Sequence, residues 1–144
     1  MKVNFYDEAN DAELKFAVVM TKYEDKWVFC KHRERETYEM PGGHREAGET
    51  INEAAVRELQ EETGAIDFEI RPVSVYSVTG KTRLNQSEDE SFGMLFYAEV
   101  KSFRGTLESE IEKIEFFDSV PERLTYPEIQ PHLYHKAMEV INSL

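Results

Sequence analysis

Residues 43–65 read GHREAGETINEAAVRELQEETGA, a glycine turn running into a helix that is marked at both ends. Thr50 followed three residues later by Glu53 predicts a capping box, in which each side chain satisfies a backbone N–H of the first turn. Gly64 suits the left-handed position that closes a helix, and the Ala, Glu, Leu, Arg and Gln between them are good helix formers. At roughly 100° per residue, Glu58, Glu61 and Glu62 fall on one side of that helix, where like charges oppose it by about 0.2–0.5 kcal/mol per pair. Ile51, Ala54 and Ala55 share this side, so it is not simply turned to water. Partly desolvated carboxylates are costly without a cation, and a hard divalent ion takes such oxygens together with phosphate. Ala54 and Ala55 are small enough for the Gly42-Gly43 turn to pack against the helix. Arg57 can hold a neighbouring carboxylate through paired hydrogen bonds. The pattern is that of a carboxylate metal site facing a phosphate.

Gly43, five residues, Glu49, seven residues and then Arg57-Glu58-Leu59-Gln60-Glu61-Glu62-Thr63-Gly64, preceded by Pro41-Gly42, resembles the Nudix box of the MutT-like Nudix hydrolases. The final aliphatic position of that box is Ala65 here, with Ile66 directly after it. The box covers about a sixth of the chain. The resemblance implies one domain over residues 1–144, folded as an α/β/α sandwich with a mixed β-sheet between helices. It also implies site roles. Glu58, Glu61 and Glu62 would bind Mg2+ or Mn2+ with the carbonyl of Gly42. Glu61 or Glu110 would orient or deprotonate water. Glu49 would support the metal shell, and Arg57 the carboxylate geometry.

Composition sets the wider bounds. A chain of 144 residues can bury about two-thirds of its unfolded surface. The net charge of −12 argues against broad binding of nucleic acid through a basic surface, so no stable nucleic-acid partner is expected. A nucleotide substrate is still compatible, because a bound cation reverses the local sign. The single Cys30 forms no internal disulfide, which makes a reducing cytoplasm the default. The first residues carry no apolar signal region, and no stretch approaches transmembrane length.

Taken in order, Met1 to Asp11 is polar, with Phe5 and Tyr6 as its anchors. Leu14 to Thr21 and Trp27 to Lys31 read as two strands of a hairpin, and Cys30 as a small core residue. His32 to Glu36 is either a solvated mixed-charge loop or the place from which Arg33 or Arg35 reaches substrate phosphates. Tyr38 is read as packing in the core. Beyond the box, Asp67 to Thr79 alternates from Val73 onward, placing Val73 and Val75 on one face and Tyr76 and Val78 on the other. Pro72 limits its early part to an edge or a bulge. Gly80 to Glu90 is a polar loop, and Ser91 to Val100 is the most apolar strand, with Gly93 allowing a bulge or the approach of a ligand. In the acidic run before a strand at Lys113–Phe117, the resemblance favours Glu110 as a further ligand or base, then Glu112. Apolar spacing from Pro127 to Asn142 predicts an amphipathic C-terminal helix, with His132 and His135 as surface or packing residues.

The resemblance implies hydrolysis of a nucleoside diphosphate linked to another group. A nucleoside triphosphate such as 8-oxo-dGTP, cleaved to monophosphate and pyrophosphate, leads. Removal of pyrophosphate from the 5′ end of RNA and cleavage of ADP-ribose or a sugar nucleotide are the other enzymatic readings. A protein that binds a metal nucleotide without turnover is the alternative of another kind. Similar proteins are often homodimers.

Overall fold

The computed structural model describes residues 1–80, 89–105 and 111–143. In chain order it contains β1 (Lys2–Tyr6), a 3-10 turn (Asp11–Glu13), β2 (Leu14–Tyr23), β3 (Lys26–His32), β4 (Tyr38–Glu39), β5 (Gly42–His44), α1 (Ile51–Thr63), β6 (Ala65–Thr79), β7 (Glu90–Phe103), β8 (Ile111–Phe117) and α2 (Gln130–Asn142). Among the described residues the eight strands form one mixed sheet, with the order β1-β6-β7-β2-β3-β4 along its main path. β2 runs parallel to β7, and its neighbours on the opposite edge are antiparallel.

Strand β2 shows why the sheet is covered on both sides. Successive side chains of a strand point to opposite faces. Phe16, Val18 and Met20 enter a core with Tyr76, Val78, Leu95, Tyr97 and the α2 residues Leu133 and Ala137. Ala17 and Val19 enter a second core with Val75, Phe96, Ala98 and the α1 residues Ile51, Ala54, Ala55 and Leu59. The α1 face is lined by small residues, which brings that helix close to the sheet. The result is the expected layering, a mixed sheet between two helices. No helix among the described residues is long and apolar enough to cross a membrane.

The edge of β2 opposite β7 forks, and the fork positions the site. Phe16–Val18 pair with β5, whereas Thr21–Tyr23 pair with β3. At the branch the Val19 N–H donates to the carbonyl of Pro41 at 2.8 Å. β4 continues along β3 through Cys30↔Glu39 and Lys31↔Tyr38. The chain segment Tyr38 to His44 therefore leaves β3 and joins β2 beneath α1. Met40 is held from the other side of the sheet, its N–H donating to Oε1 of the buried Gln130 at 2.9 Å.

Several local expectations change. The first residues are not merely anchored by Phe5 and Tyr6, since Lys2–Tyr6 is a strand paired along Val75–Thr79. β6 reaches back to Ala65 and passes Pro72 with a shift of register between Pro72 and Ser74. The bulge at Pro72 is as expected, but it separates Val73 from Val75: Val73 packs against the α2-side core and Val75 lies in the α1-side core. At Gly93 the close neighbour is a side chain. A Cβ there would meet Phe16 Cδ2 at 2.2 Å, next to a register shift between Leu14 and Phe16. α2 starts at Gln130, later than Pro127, with a proline in its first turn, where a missing N–H costs nothing. Cys30 is fully buried, and Tyr38 packs edge-on to Phe117.

Candidate active site

Helix α1 is fixed at both ends as its sequence predicts. Thr50 Oγ1 accepts from the Glu53 N–H at 3.1 Å, and Glu53 Oε1 accepts from the Thr50 N–H at 2.9 Å. Gly64 closes the helix at φ 76°, its N–H reaching the Gln60 carbonyl. The apolar side of α1, with its small Ala54 and Ala55, packs on the sheet, so the residues flanking that side lie over the fork.

The three glutamates separate by exposure. The side chains of Glu58 and Glu62 each keep 12% of their accessible surface, whereas Glu61 keeps 54% and lies on the rim. Glu58 rests on the glycine turn so closely that a Cβ on Gly43 would stand 2.8 Å from its carboxyl carbon. A Cβ on Gly42 would stand 2.4 Å from the Ala17 carbonyl oxygen. The Gly42 N–H donates to Glu62 Oε1 at 2.8 Å. The turn has no room for side chains, and its backbone meets the inward carboxylates directly.

Arg57 ties the outer half of the site together. Its Nε and Nη2 grip both oxygens of Glu49 at 2.6 and 3.0 Å. Its Nη1 reaches Glu58 Oε1 at 2.7 Å and Glu61 Oε2 at 3.4 Å, and Nη2 donates to the His44 carbonyl at 3.1 Å. Glu49 also accepts from the Glu46 N–H. Arg57 and that N–H hold the Glu49 carboxyl below the usual carboxylate range, and the Arg57 guanidinium is raised in turn, chiefly by its bond to Glu49.

The inner half is less comfortable for charge. Burial raises the Glu58 carboxyl despite Arg57. Burial pushes Glu62 up to about 9, against the lowering effect of the Gly42 N–H and with the charges of Glu58, Glu39 and Glu61 adding to it. Among the described residues no three His, Cys, Asp or Glu side chains are already grouped to hold a metal ion. The donor chemistry nonetheless fits a hard divalent cation: carboxylate oxygens in surplus, disfavoured in their charged form, and beside a turn that exposes backbone. Such a cation would remove the electrostatic cost that these shifts report.

Of the remaining predicted residues, Glu110 lies outside the described residues. Glu112 is ion-paired to Lys31 Nζ at 2.6 Å. Arg33 is exposed, in the lining of a small cavity of about 230 Å3 with His32, Glu34 and Arg35. Arg35 donates to Glu39 Oε1 at 2.7 Å, which ties it to a buried carboxylate. A wider groove of about 850 Å3 runs along Glu49, Arg57 and Glu61 to Ile66 and Arg104.

Two residues that the sequence reading left unassigned come to the site. His32 Nε2 stands 3.5 Å from Glu39 Oε1 and 3.8 Å from Glu62 Oε2. Glu39, 7% exposed, pairs with Cys30 across the strands. The available signal was Glu39 itself, a charge set between Tyr38 and Met40 in a short strand.

The Nudix domain model matches residues 12–136. The chain belongs to the Nudix family. This is a family of hydrolases acting on the pyrophosphate bonds of nucleotides, generally with divalent cations. Over 84 residues the chain is 34% identical to YtkD of Bacillus subtilis, whose name gives it provisionally as an 8-oxo-dGTP diphosphatase. That match takes in 58% of this chain and 52% of YtkD, so the chain spans about half the length of this relative. Among solved structures, a mutant of the Bacillus subtilis pyrophosphohydrolase BsRppH superposes with a TM-score of 0.76 at 24% identity, over 95% of this chain and 90% of that one. The Nudix domain of Shewanella oneidensis NrtR, crystallised with ADP-ribose, superposes with a TM-score of 0.67 at 14% identity, over 94% of each chain. At these identities the two structures show the shared fold.

Proposed function

We propose that this Nudix chain is a pyrophosphohydrolase that cleaves a nucleoside triphosphate to the monophosphate and pyrophosphate, with 8-oxo-dGTP as the leading substrate. The observation that carries the hydrolase reading is the closure of Glu58 and Glu62 onto the Gly42-Gly43 turn, with Glu61 left on the rim of the same helix. The likeness to YtkD supports the substrate.

In this reading Glu58, Glu61, Glu62 and the Gly42 carbonyl hold Mg2+ or Mn2+. The ion, when bound, neutralises the diphosphate and makes water more acidic. Glu62 enters the reaction already oriented by the Gly42 N–H. Arg57 fixes Glu58 and Glu49 in place, so the acidic wall does not collapse or splay as substrate arrives. Glu61, the most accessible of the three, is positioned to take the proton from the attacking water, a part that Glu110 can also fill. Arg33 is exposed in the small cavity beside the site and is assigned to substrate phosphate; Arg35 is committed to Glu39.

A second reading is binding of a metal nucleotide without turnover. It draws on Arg57, which already engages Glu58 Oε1. One assay separates the two. Purified protein with Mg2+ is given ordinary dNTPs, 8-oxo-dGTP, ADP-ribose, diadenosine polyphosphates and triphosphorylated RNA, and the products are resolved. Metal-dependent release of pyrophosphate, strongest from 8-oxo-dGTP, supports the proposal. Nucleotide binding with no product from any member of the panel contradicts it.

A further inference from the structure

We infer that His32, held by the Arg35–Glu39 pair, is the positioning residue that orients Glu62, an inference that rests on the function proposed above.

Glu39 and Glu62 are both buried, at 7% and 9% exposure, and they come from different layers, one from β4 in the sheet and one from α1. Each disfavours the charge of the other. His32 stands between them, with one nitrogen within ion-pair distance of both carboxylates. β3 places it there: Cys30 and His32 alternate onto the same face of the strand, and the Cys30 thiol reaches the Glu62 carbonyl at 3.7 Å. The row Cys30–His32 thus runs beneath the last turn of α1.

The geometry divides the Glu62 carboxylate between two holders. Oε1 takes the Gly42 N–H at 2.8 Å, and Oε2 faces His32 Nε2 at 3.8 Å. One contact would leave the carboxylate free to rotate about its last torsion, a broad and soft one. A hydrogen bond on one oxygen and an imidazole nitrogen beside the other limit that rotation. Arg35 completes the arrangement. By donating to Glu39 Oε1 at 2.7 Å it holds the carboxylate against which His32 rests, so the imidazole is steered toward Glu62 by a partner that is itself fixed. Arg35 therefore belongs to the support of α1's glutamates and not to the grip on substrate phosphate. Groups that orient a ligating carboxylate are typically worth 10–100-fold in metal affinity or activity.

The test uses the full chain and two readouts. The first is the amide resonance of Gly42 in the metal-free protein, which reports the hydrogen bond to Glu62. The second is Mn2+ affinity measured by electron paramagnetic resonance. His32→Ala is expected to move the Gly42 amide proton upfield and to weaken Mn2+ binding about 10–100-fold. His32→Gln, whose amide donates from a similar reach, is expected to recover most of both. Arg35→Met is expected to give a smaller change of the same sign. A Gly42 resonance and a Mn2+ affinity that are both unchanged in His32→Ala overturn the inference. So does His32→Gln behaving like His32→Ala, since burial alone would then explain the loss. If Gly42 responds as expected but the wild-type protein binds no Mn2+, the positioning role stands and the proposed function falls.

Discussion

The backbone N–H of Gly42 donates to Oε1 of Glu62, 20 residues later in the chain, at 2.8 Å. This bond joins helix α1 to the sheet at the point where β2's partners divide. A Cβ on Gly42 would stand 2.4 Å from the Ala17 carbonyl oxygen, so only glycine fits there, and the bond offsets part of the cost of burying Glu62 at 9% exposure. It also makes the inner wall of the site sensitive to changes of a single methyl group.

Gly43→Ala is one such change. Its Cβ would stand 2.8 Å from the Glu58 carboxyl carbon, so the Glu58 carboxyl must swing away from its bond with Arg57. Overpacking of this kind costs about 1–3 kcal/mol. Urea denaturation should show a loss of that size, and turnover should fall further than the stability loss explains, because Glu58 is the group displaced.

The charge of Glu62 predicts a pH effect of defined sign. Its folded-state value, about 9, lies above the ordinary carboxylate value of 4.5. The folded chain therefore holds this proton more tightly than the unfolded chain. The corresponding stability is fully present below about 4.5 and is lost as pH rises toward 9. In chelator, the urea midpoint of the wild type should fall between pH 5 and pH 9 relative to that of Glu62→Gln. The lowered carboxylates, Glu49 among them, act in the opposite sense at lower pH and are common to both proteins. A difference between the two that does not vary with pH would remove this account of Glu62. Divalent metal should abolish the difference, with a proton released on binding.

Much of this site was legible because its signals are local. The capping box, the closing glycine and the glutamate spacing all lie within one helix, and each depends on neighbours three or four residues away. What escaped depends on distant pairing. Lys2–Tyr6 becomes a strand only because Val75–Thr79 offers it an edge. His32 reads as one polar residue in a mixed-charge loop until β3 and α1 bring Glu39 and Glu62 to it. Periodicity said that Glu58, Glu61 and Glu62 share a side, but not that the fork in the sheet would bury the first and last and leave Glu61 at the rim. Val73 was misassigned for a related reason: a bulge after Pro72 changes the phase of the strand, and alternation counts cannot see it.

Arg57→Lys keeps the charge and removes the fork that grips both oxygens of Glu49. One ammonium cannot also reach Glu58, Glu61 and the His44 carbonyl. The expected result is a roughly 10–100-fold fall in kcat with little change in melting temperature. A loss confined to KM would instead place Arg57 on the substrate.

The most direct measurement is pyrophosphate released from 8-oxo-dGTP by wild-type protein and by Glu61→Gln, in Mg2+, with circular dichroism to verify the fold. Glu61 is on the surface side of α1 and half exposed, so its amide should leave the helix intact. Loss of the group that accepts the proton should cost about 10²–10⁴-fold in turnover. A wild-type protein that releases pyrophosphate, beside a folded variant that is nearly silent, is the predicted result. A folded Glu61→Gln protein working at the wild-type rate would contradict the assignment of chemistry to this helix.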